Sequence, residues 1–242
     1  MELDIGKVEE AVKKYGLLKL KETVKEHEMK IVSLNAIENY PILTEEDMKK
    51  SLARCERIFE LSRDLECEIV VVNPNEFETG EKARMQKAFD LFIKRTAEIA
   101  AGFSVRLGYE FVSYENRIVN TLEESMKGLS RWDPSIGLVL DIFHLYRTGE
   151  GITQIPNQLM SRLWIFHVND APNKPVPDLR DSDRVFPGEG VVDIDGALEV
   201  LAAKGFAGPV SLELFNASYW QKPPTVVLRK SWEKLDSLLG KD

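Results

Sequence analysis

The sequence predicts an α/β fold, a TIM-type (β/α) barrel of parallel strands, on three observations. Short runs rich in Val, Ile and Leu alternate with helix-length amphipathic stretches. Four of the later runs end in side chains that can bind a metal, and no Gly-rich phosphate turn follows an early run. Alternation of strand and helix implies parallel strands, since each helix returns the chain to the same end of the sheet. Polar side chains gathered at strand ends are the signature of a barrel whose site lies on its C-terminal face. A doubly wound open sheet is the competing architecture, and it would ordinarily carry the missing glycine turn.

The elements follow in order. Strand-like runs fall at 2–5, 31–35, 68–73, 106–112, 136–143, 163–169 and 209–215. They are dominated by Val, Ile and Leu because helices cover both faces of a parallel sheet. Thr44 with Asp47 marks the start of a helix over 45–65, where the hydroxyl can accept from a first-turn N–H. Met85, Phe89, Phe92, Thr96 and Ile99 recur at helical spacing and give the helix over 81–101 one buried face. Asp193 caps a helix that stops at Lys204-Gly205, where glycine can turn left-handed. A last helix spans about 223–239. No low-complexity segment or linker divides the chain, so residues 1–242 are expected to form one domain.

Seven strands are one fewer than a closed barrel of this type requires. Either a strand is hidden near Leu17–Leu20, or the usual first strand–helix unit is missing. In the second case strands 2–5 and 209–215 expose unpaired edges, which proteins ordinarily plug, cover or pair with another chain. A gap filled by side chains, or a homodimer contact there, is the expectation.

Composition narrows the function. The 40 acidic and 32 basic residues give a net charge of -8 without a long basic block, which argues against nucleic acid as the main partner. The start, MELDIGKVEE, lacks the apolar core of a signal peptide, and no run approaches the ~20 apolar residues of a membrane span. A cytoplasmic protein without membrane contact is expected. Cys55 falls on the apolar stripe Met48, Leu52, Cys55, Phe59, Ser62, and Cys67 adjoins a strand. Both read as structural thiols, the usual place of free cysteine.

The four chemistry-bearing runs are RLGYEF with Glu110, IGLVLDIFH with Asp141 and His144, LWIFHVND with His167 and Asp170, and PVSLELF with Glu213. A carboxylate or imidazole in such a run is costly to bury without a partner or a metal. Taken one at a time, Glu110 could be an ion-paired strand end, Asp141 a helix cap and His167 a satisfied core histidine. Together they point to one site. Carboxylates with an imidazole suit a hard to borderline cation, Mn²⁺ or Mg²⁺ first, with Co²⁺ or Zn²⁺ as alternatives. The stretch 171–190 carries Pro172, Pro175, Pro177 and Pro187 and is long for a connection, as functional loops are.

The segments LGYEF, GLVLDIFHL, FHVNDAP, DSDRVFPGEG and VSLELF, in that order, resemble the xylose isomerase-like barrel superfamily of sugar phosphate isomerases and epimerases, most of all its inosose (2-keto-myo-inositol) isomerase type. The likeness covers about residues 30–220. IVSLNAI resembles that family's third strand and ELDI aligns with its second, which agrees with a missing first unit. The resemblance implies one divalent metal ion held by Glu110, Asp141, His167 and Glu213. It implies isomerisation or epimerisation of a small polyhydroxy ketone, with Glu110 and Glu213 exchanging a proton with adjacent carbons through an enediolate. His144, Arg184, Asp170 and Trp220 are the expected substrate-side residues: His144 and Arg184 to bind oxygens, Asp170 to orient His167 or the loop, and Trp220 with Tyr219 to wall the pocket.

Three alternatives are carried forward. A dehydratase (lyase) of a cyclic hydroxy acid would begin with the same proton abstraction. A shortened barrel without activity would follow from the missing unit. An endonuclease IV-type nuclease, which uses three zinc ions on this barrel, would need more ligands than three histidines supply. That pattern also places histidine where this chain has Val185, and His27 lies in an early charged helix.

Overall fold

A computed structural model describes residues 1–240. By its internal contacts the chain forms two compact units, Met1–Leu138 and the part from Val139 onward.

The first unit holds β1 (Glu2–Asp4), α1 (Ile5–Tyr15), α2 (Leu17–Glu26), β2 (Ser33–Ile37), α3 (Glu45–Asp64), β3 (Ile69–Val72), α4 (Lys82–Ala101), β4 (Arg106–Glu110) and α5 (Leu122–Leu129). Its strands lie in the order β1-β2-β3-β4. All three pairings are parallel, with Leu3 beside Leu34, Val70 beside Leu107 and Val72 beside Tyr109. The hidden strand at Leu17–Leu20 does not exist: those residues open α2, and Gly16, at φ 84°, turns the chain between α1 and α2.

The expected helix signals are those the molecule uses. Thr44 accepts from the Asp47 amide at the start of α3. Met48, Cys55, Phe59 and Ser62 bury its inner face, while Leu52 stays half-buried. In α4, Met85, Phe89, Phe92 and Thr96 are buried, joined by Ile93 and Ala97 where Ile99 was expected. All four residues of β3 are buried, as a strand covered on both faces must be. Aromatic rings fill the space between layers. Tyr40 stacks on Phe92 with centroids 4.2 Å apart, and Trp132 meets Tyr109 edge-on at 4.9 Å, the arrangements that ring quadrupoles favour.

The strand β5 (Ile136–Asp141) runs from the first unit into the second. There follow α6 (Ile142–Thr148), α7 (Asn157–Met160), β6 (Leu163–Val168), α8 (Ile194–Ala203), β7 (Val210–Leu212), α9 (Ala217–Trp220) and α10 (Pro224–Leu239). β6 and β7 pair in parallel, with His167 beside Ser211. Asp193 caps α8 by accepting from the Gly196 amide, and Gly205 takes φ 76° just past its end. Expected strands are shorter here, β5 because a helix begins at once. Asp141 ends β5 and already caps α6, so Ile142 and Phe143 are helical rather than extended. β7 keeps only three residues of the expected 209–215 and none is fully buried.

Among the described residues seven strands occur, and β1 and β7 each have one partner strand. No described helix is long and apolar enough to cross a membrane.

Cys55 and Cys67 are 1% and 2% exposed. Burial pushes the Cys55 thiol up to about 12 and raises Cys67 as well; a thiol held protonated is a poor nucleophile. The folded protein should therefore react with neither equivalent of a thiol reagent such as Ellman's at pH 8, and should release both on denaturation in guanidinium. Rapid titration of either thiol in the native state would contradict the packing.

Candidate metal and substrate site

Three strand ends supply the chemistry of the second unit. Asp141 closes β5, His167 is the fifth residue of β6, and Glu213 follows β7. Alternation puts His167 and its neighbours on opposite faces; the parallel register sets Val168 beside Leu212, and the Val168 carbonyl accepts from the next amide, that of Glu213. Asp141 and His167 are fully buried, and the Glu213 side chain is 18% exposed. Asp141, His167 and Glu213 each offer a ligand atom, and these atoms lie within 4.8 Å of one another. Nδ1 of His167 is 3.5 Å from Glu213 Oε2 and 3.9 Å from Asp141 Oδ2.

Arg184 enters this group. Its Nη1 donates to Asp141 Oδ2 at 2.6 Å and to Glu213 Oε2 at 2.7 Å, and its Nη2 donates to Asp181 Oδ1 at 2.7 Å. The guanidinium lies 5.0 Å from the ring centres of Phe143 and Phe215, and the residue is 1% exposed. A solvated loop arginine, the alternative that its position in the sequence allowed, is excluded. Buried carboxylates need such a counter-charge. Burial pushes the Asp141 carboxyl upward and the Arg184 guanidinium draws it back.

His144 is buried too, at 3% exposure, so it is not a surface turn residue. Its Nε2 stands 3.4 Å from Arg184 Nη2. A guanidinium can only donate, so Nε2 is the acceptor and the ring is neutral with its proton on Nδ1. Burial lowers His144 to about 4, helped by Arg184 and opposed by Asp141.

Asp170 does not orient His167. Its carboxylate accepts from the amides of Ala171, Gly188, Gly190 and Val192, at 2.8 to 3.0 Å. It thereby ties both ends of the long 171–190 loop, while the Asp170–Val185 bridge fixes the stretch that presents Arg184. Glycine is required at 190, since a Cβ there would strike the Ala171 carbonyl and the Asp170 carboxylate. Trp220 is 68% exposed on α9, whereas Tyr219 is buried against Phe186 with centroids 4.7 Å apart. Of that pair, Tyr219 packs and Trp220 faces outward.

Glu110 belongs to the first unit. It ends β4 at 3% exposure and accepts at Oε2 from Asn73 Nδ2, 3.1 Å away. His27, the third histidine, follows the last residue of α2 rather than lying within it, with its ring nitrogen at the Thr23 carbonyl.

Two contributors escaped the sequence reading. Asn169 donates to both oxygens of Asp141 at 3.1 Å, and Asp181 holds the far side of Arg184. Asn169 gave a usable signal, a polar residue between two others in HVND at a strand end. Asp181 gave none, because acidic residues are ordinary in loops.

The donor set of the second unit, two carboxylates and one imidazole with convergent atoms, fits a divalent cation of hard to borderline character.

Two outcomes follow. Replacing Asp170 by Ala removes the acceptor of four amides, so the variant should lose about 3 kcal/mol or more of stability and be cut by protease within 171–190; resistance to cleavage would show that other contacts hold the loop. His144 titrates at about 4 in the fold against 6.5 unfolded, so the unfolded chain binds the extra proton between these values. Stability of the metal-free protein should fall as pH drops from about 6.5 towards 4, and His144→Gln should flatten that limb in urea denaturation series. Equal slopes in the two proteins would refute the buried neutral ring.

The chain is similar to known proteins over most of its length. The family model described as xylose isomerase-like TIM barrel matches residues 1–238. An inosose isomerase of Halalkalibacterium halodurans is 30% identical over 90% of this chain and 78% of its own length. A 3-dehydroshikimate dehydratase of Pseudomonas aeruginosa is 36% identical over 74% of this chain, though over only 28% of that larger protein. Among solved structures, that of the IolI protein with a bound zinc atom superposes with a TM-score of 0.89 at 27% identity, covering 99% of this chain and 87% of the other. The chain therefore belongs to the xylose isomerase-like TIM barrel family.

Proposed function

We propose that this protein is a divalent-metal-dependent isomerase or epimerase that moves a proton between adjacent carbons of a small polyhydroxy ketone, a keto-inositol foremost. One observation carries the reading: Asp141, His167 and Glu213 converge, in a chain 30% identical over nine-tenths of its length to an inosose isomerase. Glu110, the buried carboxylate that ends β4, is the proposed fourth ligand. Mn²⁺ or Mg²⁺ is the proposed ion, with Co²⁺ and Zn²⁺ compatible with the same donors. When bound, such an ion polarises the carbonyl and neighbouring hydroxyl oxygens of the substrate as a Lewis acid.

The remaining work falls to the side chains. A C–H beside a carbonyl is a weak acid, so a carboxylate must take its proton and another must return one to the adjacent carbon. Glu213, with its side chain partly open to solvent, is the proposed base, and Glu110 the acid on the opposite face of the substrate. His144 is neutral and can bind a substrate hydroxyl as donor or acceptor. Arg184 offers a planar fork to a hydroxyl oxygen. Phe143 and Phe215 beside it keep water from the guanidinium. Trp220, exposed on α9, is proposed as an outer wall that substrate would cover. Asp170 contributes by holding the loop that carries Arg184.

The single-strand pairing of β1 and of β7 makes a second copy of the chain the proposed partner, since open strand edges are ordinarily covered. A cytoplasmic location is proposed with it.

A second reading has a specific support, the 36% identity to a 3-dehydroshikimate dehydratase. It shares the proton abstraction and differs by loss of a hydroxyl.

The test is solvent exchange. With Mn²⁺ present, the protein should incorporate deuterium from D₂O into a keto-inositol, and EDTA should stop it. Glu213→Gln should slow exchange about a thousandfold or more while leaving the circular dichroism spectrum unchanged. Full exchange by the variant would remove the acid–base assignment, and a dehydrated product from a cyclic hydroxy acid would favour the second reading.

A further inference from the structure

We propose that the Arg184 guanidinium is a built-in occupant of the cation position, which a divalent ion must displace to bind. The inference rests on Asp141, His167 and Glu213 being ligands. Nη1 of Arg184 donates to Oδ2 of Asp141 and Oε2 of Glu213. Those same two oxygens are the ones that face His167 Nδ1, at 3.9 and 3.5 Å. The arginine nitrogen therefore lies among the atoms that would surround the ion.

Asp141 has no second oxygen to spare. Its Oδ1 accepts from the Phe143 amide at 2.7 Å and from Asn169 at 3.1 Å. Oδ2, which also accepts from Asn169 at 3.1 Å, is the oxygen left to face a cation, and Arg184 holds it. An N–H aimed at that oxygen and a divalent ion on the same lone pair exclude each other, and the two positive charges repel. Arginine keeps its charge at any accessible pH, so the guanidinium offsets part of the charge of both carboxylates whenever no ion is present. A side chain that yields its place needs another hold. Nη2 has one at Asp181 Oδ1, and the guanidinium plane rests between Phe143 and Phe215. Loading is thus an exchange of one cation for another. It lets the strands fold around buried carboxylates without metal, and it weakens ion affinity by the strength of the contacts surrendered.

The experiment compares metal-free wild type with Arg184→Met and Arg184→Lys, each titrated calorimetrically with MnCl₂ and separately with ZnCl₂, and each melted with and without the ion. Methionine keeps an apolar stem against the two rings and removes the competing charge. Arg184→Met should bind the ion about tenfold or more tightly than wild type, as expected when two charged hydrogen bonds no longer oppose it. Its metal-free melting temperature should drop, so that the ion raises it further than in wild type. Arg184→Lys keeps the charge without the fork and should fall between the two. Equal or weaker binding by Arg184→Met overturns the proposal, since Arg184 would then be supporting the ligands rather than competing for them. If Arg184→Met fails to fold without metal, the lysine variant decides by the same sign: tighter binding than wild type supports displacement, and equal or weaker binding refutes it. Absence of binding by all three proteins would instead refute the ligand reading beneath it.

Discussion

Two carboxylates held close together in a largely buried site are costly to keep ionised without positive charge beside them. Asp141 is fully buried and Glu213 largely so, and one arginine nitrogen reaches both. Desolvation of such groups costs several kcal/mol each when unpaired, so the second unit needs a cation beside them, and Arg184 supplies one. The loop that brings Arg184 depends in turn on Asp170, whose carboxylate gathers four backbone amides from two distant stretches of chain. Gly190 is the residue that lets the backbone come near enough for this. A chain of polar contacts thus runs from a loop anchor to the reactive centre.

The same side chains carry structural and chemical duties together. Asp141 caps α6 through the Phe143 amide while presenting its second oxygen to the centre. Capping fixes the carboxylate's rotamer, and Asn169 fixes it again from the next strand. A carboxylate held on three sides cannot wander. His144 is set in the same way: its neutrality follows from burial and from a donor-only neighbour, and a neutral imidazole can serve a hydroxyl in either direction.

Most of the secondary structure was legible in the chain itself. Thr44 and Asp193 cap helices as their side chains suggest, and the aromatic stripe of α4 is buried where its period puts it. The strands lie within a few residues of their expected places, and two of the differences share a cause. Ile5, Ile142 and Phe143 continue apolar runs in which hydropathy cannot mark the point where a strand becomes a helix; a capping carboxylate at Asp4 or Asp141 does so. The choice left open at Leu17–Leu20 was beyond periodicity for a similar reason, since four residues do not separate a strand from a helical turn.

Residue type and run position marked Glu110, Asp141, His144, His167, Asp170 and Glu213 together, because a charge in an apolar run is costly to bury; the family resemblance chose among them. Tertiary structure decided what those residues touch. Nothing in DSDR separates an arginine in solvent from one buried against two carboxylates, and nothing in HVND says that its aspartate serves a loop while its asparagine serves Asp141. Trp220 and Tyr219 are adjacent and alike in chemistry, yet one is exposed and the other packed. Local sequence fixes a side chain's chemistry and the period of its element, whereas its partners come from segments tens of residues away, brought near only by the pairing of strands.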